Sequence, residues 1–143
     1  MTRINYHKDL YNLIRILPNV GVVNDKLDSI KDLYISKLEM EHFFDNLNLV
    51  KFTEVYTGIG ESYNEKIENT LGYGGFNYSL FVEHNNENVI KVWLYNIKYF
   101  ESKVLKTIFT KLGERWNLSL MDSNNVMIDL NNEIAVQKYL EDN

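Results

Sequence analysis

Two hairpin signatures flanking one helical stripe constrain this chain more than any other feature of its sequence. Residues 76–84 and 88–98 are rich in β-branched and aromatic side chains and are joined by "NNEN", a composition that predicts paired strands around a tight turn. Leu118–Met121 and residues 126–130 repeat the pattern around "DSNN". Between the hairpins, Ser102 can cap a helix that sets Val104, Leu105, Ile108, Phe109 and Leu112 on one face. Asn131 or Asn132 can cap a last helix ending near Glu141. Antiparallel hairpins interleaved with helices in the order ββαββα collect those helices on one face of a mostly antiparallel sheet.

The N-terminal half reads as helical. Residues 5–17 place Leu10, Leu13, Ile14 and Leu17 at helical spacing, and "PNVG" follows as a stop. Residues 25–34 repeat that spacing through Leu27, Ile30, Leu33 and Tyr34. "SKLE" at 36–39 is a capping box for a helix carrying Met40, Phe43, Phe44 and Leu47, and the two helices can also join as one bent helix. A strand over 50–56 and a short helix near 61–71 complete the expectation. The predicted fold is α+β, with N-terminal helices followed by the ββαββα sheet, in a single domain over 1–143. An apolar fraction of 45% is enough for a real core at this length.

Five of the seven glycines fall within residues 57–75. "GYGG" at 72–75 lacks the G-x-G-x-x-G spacing of a dinucleotide site and leads into a strand, while "GIGES" at 58–62 has no Walker lysine. A backbone bend or bulge before the hairpin is the expectation there.

With no cysteine, disulfide scaffolds, thiol catalysis and Cys-ligated metal are excluded. No G-x-S-x-G or Ser-x-x-Lys signature occurs. The E-x-x-H face of Glu39 and His42 has no second copy, and His7 and His84 stand at unrelated spacings, so no metal or other cofactor is expected. No segment approaches the ~18 apolar residues of a membrane helix, and the start of the chain does not read as a signal peptide. The expected compartment is the cytosol. Two N-x-S sequons, at Asn77 and Asn117, are therefore read as accidental.

The formal charge is −5, and acid exceeds base in every third of the chain. Nucleic-acid binding rests on clustered cations, so the electrostatic expectation is a basic protein partner instead. Glu54, Glu61, Glu65 and Glu68 form one acidic stretch, and Asp122 and Asp129 begin a second. In "VIKVWLYNIKYF", Ile90, Val92 and Leu94 are expected to face the helices. Trp93 and Tyr95 then lie on the less buried face, where Tyr78 of the preceding strand extends them into an aromatic patch.

The general profile (small, acidic, rich in Asn and Tyr, without catalytic signatures) is similar to bacterial immunity proteins that neutralise cationic toxin domains. That resemblance of character implies a non-enzymatic inhibitor occluding a basic partner such as a nuclease toxin. The contacts expected are Trp93, Tyr95, Tyr78, Glu54, Glu61, Glu65, Glu68, Asp122 and Asp129. The alternative is a small-molecule-binding or enzymatic domain whose aromatic pocket carries Glu83 or His84 as its polar group. A subunit that dimerises through its aromatic face is the third reading.

Overall fold

Alternation at the start of the chain decides the architecture. Ile4 and Tyr6 are buried while Arg3 and Asn5 are exposed, a period of two that belongs to a strand. The computed structural model describes residues 3–7, 13–19, 29–58 and 65–142. Its elements are β1 (Arg3–His7), β2 (Leu13–Pro18), α1 (Lys37–Asp45), β3 (Val50–Phe52), β4 (Glu54–Gly58), β5 (Glu65–Ile67), β6 (Thr70–Gly75), β7 (Tyr78–His84), β8 (Val89–Tyr95), α2 (Ser102–Trp116), β9 (Leu118–Met121), β10 (Met127–Asp129) and α3 (Glu133–Asp142).

Among the described residues, seven strands form an antiparallel sheet ordered β10-β9-β2-β8-β7-β6-β3. Three more form a smaller sheet ordered β1-β4-β5, in which β1 runs parallel to β4. The helices pack on one face of the large sheet. Ile14, Ile16, Leu80, Val82, Val92, Leu94, Leu118 and Leu120 meet Met40 and Phe44 of α1, the apolar stripe of α2, and Val136 and Tyr139 of α3. The small sheet packs on the other face, where Ile4, Tyr6 and Val55 meet Phe52, Phe81 and Tyr95.

This arrangement overturns the expected N-terminal helices. Residues 5–17 contribute two strands to two different sheets. The spacing of Leu13, Ile14 and Leu17 imitates a helix because β2 is an inner strand, flanked by β8 and β9. Ile14 and Ile16 on one face and Leu17 on the other are all buried, so the apolar residues do not alternate cleanly and only Arg15 interrupts them. Leu10 and residues 25–28 lie outside the described residues. The rest of the second expected helix is a single 3-10 turn, Lys31–Leu33, ended by Tyr34 in the left-handed region at φ 50°.

The third expected helix does form. Ser36 Oγ accepts the Glu39 N–H at 3.2 Å, which is half of the capping box, but the Glu39 carboxylate turns away to Arg115. The expected strand over 50–56 is two strands in separate sheets, broken at Thr53. Of the short helix near 61–71, residues 61–64 lie outside the described residues, and the remainder forms β5 and the start of β6.

The glycines are corrected too. Gly72, Gly74 and Gly75 lie inside β6, and the hairpin turn is Phe76-Asn77. A Cβ on Gly74, whose φ is +154°, would sit 2.6 Å from the Tyr78 carbonyl oxygen. The residue is glycine because β7 passes too close for any side chain.

Candidate functional site

The face of the large sheet that carries the small sheet also carries a cleft of about 450 Å³. Tyr6 and Ile67 of the small sheet form one wall, and Asp122, Ser123 and Asn125 of the β9–β10 turn form the other. Its floor is Arg15, Glu83, Lys91 and Trp93. Strand register explains the floor, because residues directly opposite each other share a face. Arg15 of β2 stands opposite Trp93 of β8, Trp93 opposite Phe81 of β7, and Lys91 opposite Glu83.

Trp93 is half-buried. Its ring stacks on Phe81 at 5.2 Å between centroids with a 27° interplanar angle. Tyr6 lies over the same Phe81 at 4.8 Å and over Tyr95 at 5.8 Å. Burial raises the Tyr6 phenol above its ordinary pKa. Side-chain hydrogen bonds with Trp93 and Thr57 oppose that rise, and the charges of Glu65 and Glu83 add to it. The phenol therefore stays protonated near neutrality and serves as a hydrogen-bonding group. Glu65 reaches this region because Tyr6, Thr57 and Glu65 form one cross-strand row of the small sheet. Asp122 is fixed by its own turn, since its Oδ1 accepts the N–H groups of Asn124 and Val126, each at 2.9 Å.

The structure thus brings Trp93 and Asp122 of the expected contacts together at one cleft, with Glu83, while Glu65 acts on its Tyr6 wall through charge. It disperses the others. Tyr95 is buried beneath Tyr6. Tyr78 lies on the opposite face, packed edge-on against Phe100 at 4.8 Å. A β-bulge is the cause. His84 pairs with Val89 but Glu83 pairs with Lys91, so Ile90 is the extra residue and its carbonyl accepts the Ile30 N–H at 2.9 Å. Without the bulge Tyr78 would stand opposite Tyr95; a slip of one residue turns it to the other face.

Glu54 lies 3.8 Å from Lys66 in an ion pair on the small sheet. Glu68 is exposed in the β5–β6 turn, where its carbonyl accepts the Thr70 hydroxyl. Asp129 binds the Asn131 N–H and the Asn19 amide, both at 2.9 Å. Glu61 lies outside the described residues. His84 is buried toward Lys37 and Glu41 of α1, away from the cleft, and its Nδ1 accepts the Asn86 N–H at 3.1 Å. Among the described residues no three His, Asp or Glu gather in a way that could hold a metal ion.

Tyr6, Arg15 and Lys91 were not singled out by the sequence. The alternation of Ile4 and Tyr6 was the available signal for Tyr6. For Arg15 the apolar run around it concealed the strand.

The chain matches no family model, no curated protein and no solved structure. Among the described residues, no helix is long and apolar enough to cross a membrane.

Proposed function

We propose that this chain is a non-enzymatic, cytosolic binding module that inhibits a basic protein partner, such as a nuclease toxin domain, by taking one of its cationic side chains into the Trp93 cleft. One observation carries the reading: an accessible indole on the cleft floor with Glu83 and Asp122 lining the same cleft and the charge of Glu65 felt at its Tyr6 wall. A cation over an indole gains about 0.5–2 kcal/mol depending on how far it is desolvated. The surrounding carboxylates add attraction that also accelerates encounter. Arg15 and Lys91 line the same cleft and offset part of that field. The ring therefore supplies the anchor, and the acids supply direction and selectivity.

The test is capture of partners on immobilised protein, comparing wild type with Trp93→Phe and Glu65→Lys after circular dichroism has shown both variants folded. A stoichiometric basic partner, released as salt rises and held more weakly by both variants, supports the reading. Equal capture by the folded variants places binding elsewhere.

A second reading, small-molecule binding in the same cleft, is favoured by its size and mixed charge, because ligand pockets span roughly 300–1,000 Å³ with a few polar groups. A thermal-shift screen separates the two. A small ligand that raises Tm in wild type and not in Trp93→Phe, with no protein captured, supports the second.

A further inference from the structure

On the opposite side of the molecule, α1 and α2 enclose a second and chemically different surface. Two adjoining depressions, about 350 and 290 Å³, share Phe43 and Lys111 and continue to Leu47 and Trp116. Their floor is apolar, with the Phe43 ring meeting Trp116 edge-on at 6.2 Å. Their wall is cationic. Lys103, Thr107, Lys111 and Arg115 follow one another at intervals of four along α2, and Lys106 stands on the neighbouring ridge. Glu114 is the acid on this wall.

Arg115 is engaged, with its guanidinium gripping both oxygens of Glu39 at 2.6 and 2.9 Å. Lys111 lies 5.7 Å above the Phe43 ring. Among the described residues, Lys103, Lys106 and Lys111 make no ion pair. A row of such lysines on a protein of net charge −5 is the reverse of its overall field and selects an acidic occupant.

We infer that the α1–α2 groove docks an acidic amphipathic helix from a partner protein. The apolar stripe of that helix would lie on Phe43, Leu47 and Trp116, and its carboxylates would lie beside Lys103, Lys106 and Lys111. The cationic row from Lys103 to Arg115 spans roughly 18 Å at 1.5 Å per residue, the length of about three helical turns, and helix-in-groove recognition uses this spacing of anchors. The site is on a different face from the Trp93 cleft, and the proposal does not depend on the function assigned to that cleft.

The experiment uses a fluorescein-labelled synthetic helix of about four turns, Leu at i, i+3, i+4 and i+7 and Glu elsewhere, titrated with the full chain and followed by anisotropy. Saturable binding is expected, weakened about tenfold or more when salt is raised and by Lys106→Glu/Lys111→Glu. Lys103→Glu/Lys106→Glu, which leaves the Phe43 contact untouched, should weaken it in the same direction, with Tm of both variants within a few degrees of wild type. Four results would overturn the inference: no binding; equal binding of a peptide with Lys in place of Glu; binding indifferent to the lysine variants; or equal affinity for a polyanion such as polyphosphate, which would mark a nonspecific cationic face. A dimer dissolved by the lysine variants would make the occupant a second copy and overturn the assignment to another protein.

Discussion

Gly113 of α2 lies directly against the carbonyl of Leu130, so closely that a Cβ built on the glycine would overlap that oxygen and crowd the Asn131 amide. The contact seats α2 on the segment leading into α3, and Leu130 is itself part of the main core. Helix propensity alone favours Gly113→Ala by about 1 kcal/mol. The clash is with backbone, which cannot rotate away, and overpacking of this kind typically costs about 1–3 kcal/mol. Gly113→Ala should therefore destabilise the protein by up to about 2 kcal/mol net in urea titration. A stabilised variant would mean that the helix is not seated this tightly.

Asparagine substitutes for glycine at the turns. Asn48, Asn69, Asn86, Asn96, Asn117 and Asn125 all have φ between 53° and 77°, a region where most L side chains are strained by about 1–2 kcal/mol and asparagine is tolerated. Asn69, exposed in the β5–β6 turn, gives the cleanest comparison. Asn69→Ala should lose about 1 kcal/mol, while Asn69→Gly should stay within a few tenths. Denaturant midpoints measured on both variants check this. Equal losses would trace the cost to the side chain and not to φ. Tyr34, at φ 50° and 74% exposed, carries the same strain, and Tyr34→Asn should raise the midpoint.

What could be read from the sequence follows from where each signal is local. The hairpin turns at Asn85 and Asp122 were legible because their polar side chains bind the turn's own backbone: Asn85 Oδ1 takes the Glu87 and Asn88 N–H groups as Asp122 takes its pair. The β1–β4 pairing was not legible. It joins Tyr6 to Thr57 across the chain, and no local pattern announces a parallel partner at that separation. The same gap hid half of the candidate site. Trp93 stood out on its alternating strand, but Tyr6 meets it only through that long-range pairing. The bulge at Ile90 has no turn residue to mark it, so the sequence pattern alone puts Tyr78 on the wrong face.

His84 should make stability fall in mild acid. Burial lowers its pKa below the ordinary 6.5, the Lys37 charge adds to that, and Glu41 opposes it. Its Nδ1 must also stay unprotonated to accept the Asn86 N–H. Between the lowered folded pKa and 6.5 the unfolded chain binds more protons than the folded one, so stability is full above the unfolded value and drops as pH falls through that window. Urea midpoints from pH 8 to 5 should show this decline, and His84→Gln should flatten it. The acids held low by cationic neighbours, Glu39 by Arg115 and Glu41 against its own burial by Lys37 and Lys51, lose their contribution only below their ordinary 4.5. The two phases are therefore separable. A decline that survives in His84→Gln assigns it to another group.

Asp122 has two separable duties, and one substitution divides them. Its Oδ1 holds the β9–β10 turn through two N–H groups, and its charge faces the Trp93 cleft. Asn keeps the oxygen and removes the charge; Ala removes both. Asp122→Ala should cost about 1 kcal/mol, as expected when two exposed turn N–H groups exchange a charged acceptor for water, whereas Asp122→Asn should lose well under half of that. The charge also reaches Tyr139, where burial first and Asp122 second push the phenol up to about 12. Asp122→Asn should lower that value, which NMR of ring-labelled tyrosine can follow. If Asp122→Asn keeps the stability but weakens capture of a basic partner, the carboxylate acts in the cleft. If capture is unchanged while the Tyr139 shift confirms that the charge is gone, Asp122 is a turn residue only, and Glu65 and Glu83 are left to draw a cation to Trp93.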